Sequence, residues 1–341
     1  MIAPLALLAA SLAFSQSDAP VGSPGVSQLR ERFIGTIDEP ERVKIVEQIA
    51  LTTPVSAQDV SALFDLFSRF PDPGLRRKVM ESLARIPANT PQLEPLFVTY
   101  LQQPEPESQL FGINGAFRLR SRSALPLIRK IAERKIFAAK AESVTMMSER
   151  NEWWTQYEAL SALAQWEGGA SLTLLNAKAL ESPAVARLLG QFFWLQTFPS
   201  LKKWAASADA GDRDRAVEAA GAPIEESAAR ATREGMLEIL RDPKADDEVR
   251  HRLALKIGAV ATDDEAAALL QEHDKAADDK SRLLWAAAAF ASRNPKVAPL
   301  LARYATKSAD EAMRAGARAQ LVDMVGEDGT KILLEEKPVA K

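Results

Sequence analysis

Seven cations crowd residues 118–135, RLRSRSALPLIRKIAERK, against a single acid, Glu133. With a helix over 124–132, Leu125, Leu127, Ile128, Ile131 and Ala132 pack inward, and Arg129, Lys130 and Arg134 point together toward a groove. Such a group can hold an acidic protein segment, or a phosphorylated or carboxylated envelope polymer, through charge-assisted hydrogen bonds. The plainer reading is a solvated helix face whose cations lie near a helix C-terminus and suit its dipole. A second concentration lies at 151–166, NEWWTQYEALSALAQW, where Trp153, Trp154, Tyr157 and Trp166 fall close together. Trp153, Tyr157 and Leu160 share one helical face. Rings so placed can stack on a sugar or grip a partner's side chain; they can equally fill a wide gap between helices.

Catalytic chemistry finds less to work with. The two histidines, His251 and His273, stand on different expected helices, and no HExxH or carboxylate-rich calcium loop accompanies them. Ser200-Leu-Lys-Lys203 matches Ser-x-x-Lys, yet its companion motifs are absent. The pairs Asp263-Asp264 and Asp278-Asp279 read as helix starts rather than acid–base dyads. With no cysteine, disulfides, zinc–thiolate sites and thiol nucleophiles are excluded. The expectation is a protein without catalytic residues, bound metal or cofactor.

What must position these groups is a helical framework. Hydrophobic residues make up 47% of the 341, aromatics only 6%, and runs of strand type are missing. That bias favours helix packed on helix. The formal charge of −3 supplies no global field for nucleic acid or an anionic membrane. The opening MIAPLALLAASLAFSQSDAP has an apolar run, Ile2 to Phe14, too short to span a bilayer. Ala13-Phe14-Ser15 has the small-x-small spacing of a signal-peptidase site, although no Lys or Arg precedes the run. The expectation is a signal peptide at 1–15, cleaved near Ser15, a linker at 16–35, and a periplasmic or secreted protein with no transmembrane span.

One frame recurs along the rest of the chain. Leu83 is preceded at eleven, seven and four residues by Asp72, Arg76 and Val79. Ile49 has Asp38, Arg42 and Ile45 at the same offsets; Ile257 has Asp246, Arg250 and Leu253; Leu321 has Asp310, Arg314 and Ala317. Trp194 follows Pro183, Arg187 and Gly190, and weaker copies end at Phe117, Leu163 and Phe290, with a degenerate one near 212–221. From Ile49 to Leu321 is 272 residues, or 34 for each of eight intervals, the length of a helix–turn–helix repeat. Asp or Pro suits the helix start, and the apolar pair four apart lies on one face. An arginine in the first turns opposes the dipole, so it needs a partner, most simply an Asp at the neighbouring repeat's N-terminus. Second helices follow: LEPLFVTYL (93–101), ALPLIRKIA (124–132) and VAPLLARYA (297–305) each carry proline in the first turn, and IEESAARATREGMLEIL reads as one helix over 224–240.

Asp-x-x-x-Arg opening the first helix, an alanine-rich helix, then x-Pro-Leu-Leu opening the second, resembles HEAT repeats of the short bacterial, bilin-lyase-like kind, over roughly residues 36–337. The resemblance implies an all-α, right-handed α-solenoid of about nine stacked antiparallel helix pairs, with second helices lining a concave face. It implies a scaffold that binds a protein partner there; a minority of such proteins act on chromophores or damaged nucleic acid. Two stretches depart from the pattern, an extra piece near 136–150 and the irregular 196–223. The tentative partner-binding set is Arg129, Lys130, Arg134, Trp153, Trp154 and Tyr157, with an unidentified protein as partner. The alternative partner is an anionic or glycan polymer of the envelope.

Overall fold

A computed structural model describes residues 25–135 and 147–335. The expected signal peptide, and 16–24 of the expected linker, lie outside them. So do 136–146 of the extra piece. Every regular element among the described residues is helical, and none is a strand. The chain divides into two compact units, Met1–Leu174 and Leu175–Lys341.

The first unit runs α1 (Val26–Gly35), α2 (Glu39–Leu51), α3 (Ala57–Arg69), α4 (Pro73–Leu83), α5 (Glu94–Gln102), α6 (Pro106–Leu119), α7 (Leu125–Ala132) and α8 (Met147–Glu167). Residues 26–35, expected as linker, are instead the helix α1. It packs on α2 and α3 because Val26, Leu29 and Phe33 supply a buried stripe. Each helix that carries the recurring frame packs on the helix before it, α2 on α1, α4 on α3, α6 on α5 and α8 on α7, and these frame helices, the first helices of the repeat, pack in a row, α2 on α4, α4 on α6, α6 on α8.

Next comes α9 (Leu172–Glu181), whose residues from Leu175 belong to the second unit. That unit continues with α10 (Ala186–Phe192), α11 (Trp194–Ala205), α12 (Ala210–Gly221), α13 (Glu226–Ala231), α14 (Arg233–Arg241), α15 (Asp247–Ala259), α16 (Asp263–Lys275), α17 (Asp279–Ala291), α18 (Ala298–Lys307) and α19 (Glu311–Glu335). The row here is α10 on α12, α12 on α15 and α15 on α17. Within α19, Gly326 at φ 76° breaks the helix, a conformation that only glycine adopts cheaply. The single helix expected over 224–240 is broken at Thr232, whose hydroxyl accepts the Trp194 indole N–H at 2.7 Å.

The recurring frame marks the first helices except at Trp194, where α10 ends at Phe192 and the anchor opens α11. Asp38, Asp72, Asp246 and Asp310 each accept a backbone N–H at the start of their helix, at 2.6 to 3.3 Å. Ile49, Leu83, Leu163, Ile257 and Leu321 are all buried, each contributing about 1.5–3 kcal/mol. The degenerate copy is intact as polar chemistry. Asp209 caps α12 and Arg213 follows at the frame spacing, with small Ala216 and Ala220 buried where the others carry larger side chains. The register at Phe290 shifts by one. Asp278 rather than Asp279 is the cap, Arg282 takes the arginine place, and Ala289 is buried while Phe290 is half-buried.

The frame arginine does not find the expected Asp. It turns back to carbonyl oxygens at the end of the preceding helix. Arg42 Nε donates to Thr36 O at 2.7 Å, Arg76 Nε to Phe67 O at 3.0 Å and Arg250 Nε to Leu240 O at 3.1 Å. Arg213 and Arg314 donate to Ser207 O at 3.2 Å and Ser308 O at 2.6 Å. Where the frame has no arginine, an amide does the same work: Gln109 bonds Gln103 O, and Gln156 bonds Ala132 O and Arg134 O. A helix C-terminus leaves carbonyls unpaired and carries negative charge, so a cation there is favourable. The penalty at the arginine's own helix start is offset at the end of the previous one. A second ladder joins pair to pair: Arg85 Nε to Ala50 O at 2.7 Å and Arg118 Nε to Ile86 O at 2.8 Å. Lys256 to Ala222 O and Gln320 to Phe290 O extend it in the second unit.

Candidate binding surfaces

In the first unit, the basic stretch is largely occupied by internal partners. Arg129 forms a short ion pair with Glu167 and a longer one, 3.9 Å, with Glu133. Arg134 Nη1 donates to Gln109 Oε1 at 2.9 Å. Arg118 serves the ladder, and Arg120 lies over the Phe117 ring. Lys130 and Arg122 are exposed. Ile128, Ile131 and Ala132 form the inward face, while Leu125 and Leu127 are only half-buried.

The aromatic set forms a packed group on α8. Trp153 is buried, Trp154 and Tyr157 are half-buried, and Trp153 stacks on Tyr157 with centroids 5.1 Å apart. Trp154 meets both rings edge-on, at 4.8 and 5.9 Å. Trp166 stands elsewhere, against Phe117. The three rings are engaged with one another. Beside them in sequence, Glu158 is 7% exposed, and its Oε2 has no hydrogen-bond partner. Burial pushes its carboxyl up from 4.5 to about 8, so it is protonated at neutral pH.

The second unit carries a trough of about 940 Å³ across α15, α17 and α19. Its apolar floor and wall include Leu255, Leu283, Ala287, Met313 and Met324, with Leu255 and Leu283 42% and 45% exposed. Nothing lies within 4 Å of the place a Cβ would take on Gly316, so the α19 side is open to close approach. The rim mixes signs: His251 and Arg293 stand with Asp323, and Lys280 pairs with Asp247. Arg250 is buried in the wall, held by Leu240 O and Asp247. The trough therefore lies on first helices, whereas the HEAT resemblance places the binding face on second helices. No residue of the expected partner-binding set lines it. A sequence signal for it existed: Leu255 and Leu283 fall off the buried stripes formed by Val249, Leu253 and Ile257 on α15 and by Leu284, Trp285 and Ala288 on α17.

Among the described residues no helix is long and apolar enough to cross a membrane, and no group of His, Asp and Glu is placed to hold a metal ion. No protein-family model matches the chain, and no curated protein matches it.

Proposed function

We propose that the chain is a non-catalytic scaffold, built as a right-handed α-solenoid of about nine HEAT-like helix pairs, that holds a protein partner. Capped first helices packed in a row within each unit support the repeat reading. The apolar leader Ile2 to Phe14 supports export to the periplasm or beyond. The observation that carries the binding reading is the apolar trough over α15, α17 and α19, with two leucines exposed along it. Its chemistry suits a protein segment that offers apolar side chains from one helical face and a carboxylate to Arg293. An anionic polymer at 118–135 has to compete with Glu167 for Arg129 and with Gln109 for Arg134.

The test is a crosslinking pull-down from the native host with the wild-type chain and with the double variant Leu255→Asp, Leu283→Asp. Both sites are exposed, so stability should stay within about 1 kcal/mol, checked by denaturant melts. Loss of one reproducible partner in the variant supports the reading. An identical set of captured proteins from both chains removes the trough from consideration.

A further inference from the structure

The second unit has a separate hollow of about 410 Å³ between the ends of α16 and α18 and the start of α17. His273 closes its floor and is 3% exposed. Its Nδ1 lies 3.0 Å from Asp274 Oδ1 and its Nε2 lies 3.2 Å from Tyr304 Oη. Nδ1 thus faces a carboxylate that accepts and, from Arg303, a nitrogen that donates, while Nε2 and the Tyr304 hydroxyl share one hydrogen. Tyr304 is fixed from its other side by an edge-on contact with Phe290, centroids 5.4 Å apart.

Three cations face the same hollow. Arg303 Nη2 lies 3.3 Å from His273 Nδ1 and 3.7 Å from Asp274 Oδ1. Both contacts use Nη2, so Nε and Nη1 of the guanidinium are left to donate. Arg282 pairs with Asp279 at 3.0 Å and donates to Ala276 O. Lys307 makes no ion pair among the described residues, and Ser308 Oγ accepts from Asp310 N, which leaves its proton to donate. The opposing carboxylates are mostly in water, with side-chain exposures of 70% for Asp274 and 93% for Asp279, and neutralise weakly. Helix C-termini would repel an anion, but here Ala276 O is capped by Arg282 and Ser308 O by Arg314.

We propose that this hollow binds the phosphoryl group of a small phosphate monoester, with Arg303, Lys307 and Arg282 as donors and Ser308 as a fourth. A carboxylate is satisfied by one guanidinium fork. Donors converging from α17, from α18 and from the Ser308 that caps α18 suit a tetrahedral oxyanion with several acceptors. The hollow takes a headgroup and excludes a folded polymer. This site shares α17 with the trough but none of the trough's lining residues.

The test uses the full chain and the ring nitrogens of its two histidines, followed by NMR. Inorganic phosphate, phenyl phosphate and acetate are titrated at matched ionic strength. Saturable shifts at His273 with both phosphate probes, and none at His251, are expected. The variant Arg303→Gln, Lys307→Gln, at two exposed sites, should weaken binding about ten-fold or more. The trough variant Leu255→Asp, on α15, should leave it unchanged. Acetate acting as well as phosphate, inorganic phosphate binding without the monoester, or affinity surviving the double change would each overturn the proposal. A cooperative melt of the double variant guards against simple unfolding.

Discussion

Glu158 offers the sharpest test of the packing in the first unit. Its carboxyl is buried, one oxygen is unpaired, and burial alone raises its pKa to about 8. In the unfolded chain the same group titrates near 4.5. Below that pH it is protonated in both states and costs nothing differential. As pH rises, the unfolded chain releases the proton first, so folding must take it back up, and stability falls. Each pH unit costs about 1.4 kcal/mol until the folded group also ionises. At pH 7 the penalty is about 3 kcal/mol, and it levels near about 5 kcal/mol above the folded value. Glu158→Gln keeps the shape and the buried polar end but removes the ionisation. Denaturant melts followed by fluorescence, with Trp153 and Trp154 two of the six tryptophans, compare the two proteins across pH. The stability gain of the variant should be near zero at pH 4.5, about 3 kcal/mol at pH 7, and constant above pH 8.5. Other titrating groups cancel in the difference. A gain that does not change with pH would refute the placement of this carboxylate in a dry environment.

Three further outcomes follow from the ladders and the close helix contacts. Arg76→Met leaves Phe67 O without its donor and removes the cation from the Phe67 ring, so it should cost about 1–3 kcal/mol; Arg76→Lys should recover only part, by denaturant melt. Gly258 sits where α15 meets α17, and a Cβ there would collide with the Ala288 carbonyl; Gly258→Ala should destabilise by about 1–3 kcal/mol although alanine is the better helix former. Lys256 is lowered to about 8, by burial first and then by Arg187 and Arg252, so its neutral form grows in as pH passes about 8. Limited acylation read by mass spectrometry at pH 8 should modify Lys256 ahead of exposed Lys44; equal rates at the two sites would count against a shifted amine.

The all-helical architecture was legible because each frame residue has a mechanical duty. An aspartate four residues before an arginine is a cap and a tether, and both duties recur at α2, α4, α12, α15, α17 and α19. The misreadings came from weighting large side chains. Phe290 drew the anchor one place too far, and the copy at Asp209 and Arg213 was obscured because its anchors are alanines. Yet Ala220 and Ala289 are small for a reason, since first helices approach closely at that level: Gly258 abuts Ala288, and Gly190 abuts Ala219. The polar half of the frame was the better guide, because hydrogen-bond geometry tolerates less change than apolar volume.

The candidate surfaces were far less legible, and the reason lies in what satisfies a cation. Local sequence shows Glu133 as the only acid near 118–135, and the stretch therefore looks like unspent positive charge. The partners come from remote residues and from carbonyls, which no charge count registers: Glu167 for Arg129, Gln109 for Arg134, Ile86 O for Arg118. At the other end of the chain the reverse holds. His273, Arg282, Arg303 and Lys307 lie 34 residues apart at most and share no motif, yet one turn of α16, one of α17 and two of α18 bring them to a single hollow. In a repeat protein the residues that face one another are about one period apart. A search for chemistry in such a chain should therefore compare positions across the period, which is where the His273–Tyr304 pair, 31 residues apart, would have been found.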